Sequence, residues 1–233
     1  MSDVAMIGLL AVSFLLAIGA GCALLRRAIA RPEFLPEEFA LAAAWAFAVG
    51  SLVWLAAFLD GSTLLGFGAP WTWITAAHFA AAGFGALTVT ALCCRVVSSR
   101  RALRILRTLL LAHPTAYLVT AAGILGVPYC DELGATSYAL IFLTQLGSVV
   151  LGQPDRMAFG PRILLLLALT TPVAAAAPAL AWAWGRPIFD LTQMALYHGL
   201  GNAIGHVGLG LVAFAWGRPP SHSTVRRDMH PAP

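Results

Sequence analysis

Seven stretches of this sequence are apolar for about as long as a helix needs to cross a bilayer, roughly 20 residues for a hydrocarbon core about 30 Å thick. They run from Val4 to Leu25, Phe39 to Leu59, Trp71 to Cys94, Thr108 to Val127, Ala135 to Leu151, Arg162 to Trp184 and Phe189 to Trp216. In hydrocarbon no water satisfies a backbone N–H or C=O, so such segments must close their hydrogen bonds within helices. The predicted fold is therefore all-α, a polytopic membrane helix bundle of seven transmembrane helices. Residues 1–216 read as a single seven-span domain, and the polar, proline-rich residues 217–233 as a disordered cytoplasmic tail. Only 10% of the chain is charged, against about 25% in soluble domains, and 233 residues leave no room for a large extra domain.

The arginines set the orientation. The chain has 14 of them and no lysine, and 13 fall on one side, in alternate loops, at the start of the sixth span (Arg162) and in the C-terminal tail; Arg186 is the exception. By the positive-inside rule the N-terminus lies outside and the C-terminus in the cytoplasm, as an odd number of spans requires. The expected location is the cell membrane, as a multi-pass protein. Asp3 precedes the first span and Arg26 and Arg27 follow it, the reverse of a signal-peptide start, so an uncleaved first span is expected. The arginines are scattered over short loops and form no aromatic-interleaved stripe, which argues against nucleic acid as a partner. Cys22, Cys93, Cys94 and Cys130 have no zinc-ligand spacing. No metal is expected, and no glycine-rich nucleotide motif or nucleophile elbow points to a soluble-enzyme cofactor site.

Polar residues inside such segments are costly and need a partner or a task. The seventh stretch is the richest in them. His198, Asn202 and His206 are spaced i, i+4, i+8 and climb one helix face with a slow drift. Gly199, Gly201, Gly205, Gly208 and Gly210 leave the surface around them nearly bare, so a neighbouring helix or a ligand can come close. Pro172 and Pro178 interrupt the sixth span; each removes a helix N–H and frees a carbonyl, so a kink is expected there. In depth, His78 lies roughly 10 Å and His198 roughly 14 Å below the outer ends of their spans, at 1.5 Å per residue. His113 enters from the cytoplasmic end, and His206 lies in the inner half. Asp60, Asp131, Glu132 and Asp190 fall on the outer rim. Each residue also has a structural reading: solvated loop acids, a helix cap at Asp190, interhelical hydrogen bonds for the histidines.

Two stretches, WTWITAAHFAAAGF from Trp71 to Phe84 and HGLGNAIGH from His198 to His206, together resemble the YndJ-like family of bacterial integral membrane proteins. The first is similar to the family's aromatic segment with His-Phe and then Ala-Gly-Phe; the second to its His-Gly, Asn-Ala segment. The resemblance covers about the C-terminal two thirds of the chain. It implicates His78, His198 and Asn202 and supplies no chemistry for them. The chain departs from the pattern at Ala80, where the family often repeats a histidine, and at His206, where it has an aromatic residue. A looser analogy of architecture links the chain to integral membrane terpene cyclases, which also have seven spans and use acids near the second and seventh.

The expected activity is that of a membrane enzyme. It would perform acid–base cyclisation, isomerisation or epoxide opening on a lipophilic, terpenoid or polyketide-like substrate that enters from the membrane lipid. Asp190 or Asp60 would be the acid, and His198 and His78 the bases or orienting groups. Asn202, Tyr197, Tyr117, Phe79, Phe84 and Trp182 would line the substrate. No cofactor is required by that chemistry. The other readings are a proton-coupled transporter, a haem protein with His78 and His198 as axial ligands, and a non-catalytic membrane subunit.

Overall fold

A computed structural model describes residues 3–222; the tail from residue 223 onward, including His230, lies outside the described residues. Seven helices in it are long and apolar enough to cross a membrane. They are α1 (Asp3–Ile29), α2 (Pro36–Asp60), α3 (Trp71–Cys93), α4 (Arg100–Ile124), α5 (Cys130–Leu151), α6 (Phe159–Ala183) and α7 (Leu191–Gly217). The described residues contain no strand, only an isolated bridge between Leu64 and Phe67. This is a multi-pass membrane protein of all-helical class.

Two helices begin earlier than the hydropathy suggests. α4 takes in Arg100 to Arg107, which the sequence places in a basic loop. Ser99 caps it, its Oγ accepting from the Ala102 N–H at 3.4 Å, and arginine is a good helix former that holds the helix past its apolar stretch. α5 likewise starts at Cys130, so Asp131 and Glu132 occupy its first turn, where carboxylates favour the helix dipole.

Helix packing divides the chain into two compact units, one ending at Thr88 and the other beginning at Val89. In the first, α2 packs against both α1 and α3. Pro36 sits in the first turn of α2 and Gly61 closes it in the left-handed conformation. The α2–α3 contact is built from aromatic rings laid on glycines. Phe79 of α3 covers Gly50, and Phe47 of α2 covers Gly83; an added Cβ would fall 2.5 Å from either ring. Trp45 meets Phe84 edge-on at 4.9 Å, and Ser51 Oγ donates to the Ala76 carbonyl at 2.8 Å.

In the second unit α4 pairs with α5, α5 with α6 and α6 with α7. Gln145 of α5 is fully buried and serves the end of α3: it donates to Cys93 Sγ at 3.4 Å and accepts from Thr90 Oγ1 at 3.4 Å. At one end of this unit the backbone of Ser98 and Ser99 pairs with Gln153 and Gly152, and Ser98 Oγ bonds Asp155. The chain after α7 returns to the same end. His222 donates through Nε2 to the Cys94 carbonyl at 2.8 Å, and Arg156 donates to the His222 ring at 3.0 Å and to the Pro220 carbonyl at 2.9 Å.

Candidate functional site

The polar residues of α7 are carried on an unusual backbone. After Leu191 to Gln193, residues 194–200 and 202–208 are π-helical, with i→i+5 hydrogen bonds, before α-helix resumes at Leu209. π-helix makes up well under 1% of residues in proteins, and where it occurs it is frequently at a functional site. The widened turns change which residues share a face, so the i, i+4, i+8 line of His198, Asn202 and His206 no longer follows α-helical geometry. In the first unit α3 has the same device: residues 79–85, directly after His78, are π-helical. In α3 small residues make this tolerable, since residues 79–85 are glycine and alanine apart from Phe79 and Phe84.

The histidines of α7 reach across to α6. His198 Nδ1 donates to the Ala175 carbonyl at 3.0 Å, and His206 Nδ1 donates to the Ala168 carbonyl at 3.1 Å. One of the two acceptors traces back to a proline of α6. Pro172 lacks the N–H that would bond to residue 168, four positions earlier, so the Ala168 carbonyl has no α-helical partner in its own helix. His206 supplies one. Pro178 does the same to residue 174, and His198 bonds the next carbonyl along, that of Ala175. Gly205 lies against Thr171, where a Cβ would fall 2.7 Å from the threonine methyl. Gly205 is thus what lets α7 approach α6 beside His206, whereas Gly201 faces open space.

A carbonyl only accepts, so each of these imidazoles carries its hydrogen on Nδ1. In the neutral ring the Nε2 lone pair is then available to a third group. His206 is buried, 1% exposed, and its Nε2 meets no hydrogen-bond partner among the described residues. The same holds for Asn202 Oδ1 and for the hydroxyl of Tyr138 on α5. His113 of α4 packs edge-on against Tyr138 at 5.2 Å, Tyr138 stacks on Phe142 at 5.7 Å, and Phe142 meets His206 edge-on at 5.3 Å. Tyr138 and Phe142 were not among the residues singled out from the sequence. Their signal is an i, i+4 aromatic pair on one face of a span that has no other aromatic residue.

The remaining residues named from the sequence are placed as follows. Asp190 is exposed and forms a capping box at the start of α7: its Oδ1 accepts from the Gln193 N–H at 2.8 Å, while its own N–H donates to Gln193 Oε1 at 3.1 Å. Tyr197 is exposed beside Phe189, at 5.4 Å, and Trp182 is exposed near the end of α6. Tyr117 is buried in α4. In the first unit His78 is exposed and its Nδ1 donates to the Ile74 carbonyl of its own helix at 3.2 Å. Phe79 and Phe84 belong to the α2–α3 packing described above. Asp60, the last residue of α2, is exposed at the end of a groove of about 910 Å³ between α1 and α2 whose walls include Met6, Leu10, Phe14 and Leu52. The structure thus carries His198, Asn202 and His206 on one helix of the second unit and joins His113 and Tyr138 to His206 through the ring of Phe142. His78, Phe79, Phe84 and Asp60 belong to the first unit. Among the described residues no three His, Cys, Asp or Glu side chains cluster as a metal site would need.

A family model described as YndJ-like protein matches residues 1–206. The match reaches back to the first helix, well before the two stretches that carry the resemblance in the sequence, and it ends at His206. No curated protein and no solved structure matches the chain.

Proposed function

The chain belongs to the YndJ-like family, and we propose that it is an integral membrane enzyme performing acid–base chemistry on a lipophilic small molecule. The reaction class is cyclisation, isomerisation or epoxide opening of a terpenoid or polyketide-like substrate drawn from the bilayer of the cell membrane. The observation that carries this reading is the setting of His198. Its Nδ1–H is held by the Ala175 carbonyl, which leaves Nε2 as a base of fixed direction, and Asn202 one turn on has a buried amide oxygen with no partner among the described residues. An oriented imidazole beside an unused amide is what general-base catalysis asks for. Asp190 and Asp60 are the candidate acids and His78 the candidate second base. With the N-terminus outside, both carboxylates lie at the outer ends of their helices.

A proton-coupled carrier is the second reading. It is favoured by the succession of His198, Asn202 and His206 down one helix, since intramembrane histidines are common parts of proton relays. The two are separated by experiment. Protein in lipid nanodiscs is incubated with prenyl and polyketide epoxides and alkenes, and products of unchanged mass are sought by chromatography and mass spectrometry. Once a substrate is found, the enzyme reading expects a loss of conversion in His198→Ala, and in Asp190→Asn or Asp60→Ala. Full conversion by all three variants would refute it. Uptake driven by a pH jump in proteoliposomes, with no chemical conversion, would favour the carrier.

A further inference from the structure

Deeper in the second unit lies a cluster that the proposed chemistry at His198 does not use. Counted along the helices from the ends joined by the α4–α5 and α6–α7 turns, Tyr138 lies roughly 12 Å in and His113 roughly 16 Å, at 1.5 Å per residue, while Asn202 and His206 lie 11 and 15 residues into α7, whose wider π-helical turns rise less per residue. All are near the middle of their spans. His206 is 1% exposed and His113 is fully buried. The ring of Phe142 packs against Tyr138, at 5.7 Å between centroids, against His206, at 5.3 Å, and against His113, at 6.0 Å, so the four rings form one cluster.

Two of these tips lack a partner among the described residues: the Tyr138 hydroxyl and His206 Nε2. Asn202 Oδ1, one turn before His206, is a third. Buried polar atoms in proteins are nearly always paired, and in a span no bulk water can relieve them. The bonding capacity of the three defines what would satisfy them. His206 has spent its Nδ1–H on the Ala168 carbonyl, so its neutral ring can only accept. The amide oxygen can only accept. The phenol can donate. The matching ligand therefore donates to nitrogen and accepts from a phenol, which is the pattern of a hydroxyl group. Water would complete all three bonds, the number a buried water usually makes. An alcohol would complete two and place its hydrocarbon in the aromatic surroundings.

We propose that His206 and Tyr138, with Asn202 beside them, form a hydroxyl-binding site in the core of the second unit, filled by water or by the hydroxyl of a lipophilic alcohol. The site stands on its own observations and is independent of catalysis at His198.

The test uses full-length protein in nanodiscs with ¹⁵N-labelled histidine. The His206 Nε2 resonance, assigned by its loss in His206→Gln, should sit where a hydrogen-bonded acceptor nitrogen does and move toward the free-acceptor position in Tyr138→Phe. His206→Gln keeps an N–H for the Ala168 carbonyl, so it guards against misreading a folding defect. A diazirine-bearing long-chain alcohol and its methyl ether distinguish the two sources. If a lipophilic alcohol is bound, the alcohol labels the peptides carrying Tyr138 and His206 about tenfold more than the ether, the scale of one hydrogen bond. That preference is lost in Tyr138→Phe and kept in His198→Ala. If water is bound, labelling shows no preference and His206 Nε2 exchanges magnetisation with water. A free-acceptor position in the unaltered protein, unmoved by Tyr138→Phe and without preferential labelling, would overturn the site.

Discussion

The two π-helical regions of this protein are the same backbone device put to different uses. In α3, residues 79–85 follow His78, whose Nδ1 turns back to the Ile74 carbonyl one turn earlier in the same helix. The widened segment is consumed by shape, with Gly83 lying under the ring of Phe47 and Phe79 lying over Gly50. In α7, residues 194–208 present His198 and His206 to carbonyls of another helix, and the Ala168 carbonyl met by His206 is the one freed by Pro172. Both regions pair histidine with a rare helix type. The α7 histidines bond across to another helix, and buried polar atoms without a partner among the described residues occur in both helices, Asn202 Oδ1 and His206 Nε2 in α7 and Thr72 Oγ1 in α3. A histidine in a span is therefore not a signal by itself; what matters is whose carbonyl it meets and what its other nitrogen faces.

The largest effect expected from breaking this contrast is at His206. His206→Ala strips the Ala168 carbonyl of its acceptor role and opens a cavity in the core, which should cost about 2–4 kcal/mol of unfolding free energy, measured by denaturant titration in detergent micelles. Because Pro172 creates the need that His206 meets, a double-mutant cycle of Pro172→Ala and His206→Ala should be non-additive by about 0.6 kcal/mol or more, the scale of interhelical bonds in membranes. Strict additivity would show that the two residues act separately. Next comes the α2–α3 packing. Gly83→Ala places a methyl against the Phe47 ring and should destabilise by about 1–3 kcal/mol as overpacking. If it leaves the thermal midpoint unchanged, the glycine–aromatic account of the first unit is wrong. Asp190→Ala removes one half of the capping box at the start of α7 and should cost about 1 kcal/mol; Asp190→Asn should recover most of it, because asparagine caps as well. At the bottom of the series, His78→Ala removes an exposed imidazole bonded within its own helix. It should change stability by less than about 0.5 kcal/mol, and a loss as large as that of His206→Ala would erase the contrast between the regions.

Several features were legible in advance because they follow from composition and spacing along the chain. The seven spans follow from the length of the apolar runs, and the all-helical class from the lack of water in hydrocarbon. The glycine-bare surface of the last span is a local property, and so is the freeing of a carbonyl four residues before each proline. The cap at Asp190 was one of two readings the sequence offered, and its bonds to Gln193 are those of a cap. The family match reaches the first helix, where the recognisable motifs lay only in the third and seventh.

The rest needed three dimensions. Nothing in the order of residues states that the carbonyl freed by Pro172 would be taken by His206, because that depends on how far α7 is shifted along α6, and Gly205 against Thr171 fixes that shift. Nor does it state that both histidine-bearing helices would widen to π geometry, since an inserted residue in a turn is decided by the neighbour it must fit. Tyr138 and Phe142 do not stand out along the chain, because aromatic residues in spans are ordinary. Only their meeting with His113 and His206 gives them meaning. Along the chain, then, the sequence determines which segments are helical and apolar enough to cross a membrane and which groups are in need of partners. The tertiary structure decides which partners they find, because a hydrogen bond between helices depends on their relative shift and rotation, and those are set by packing.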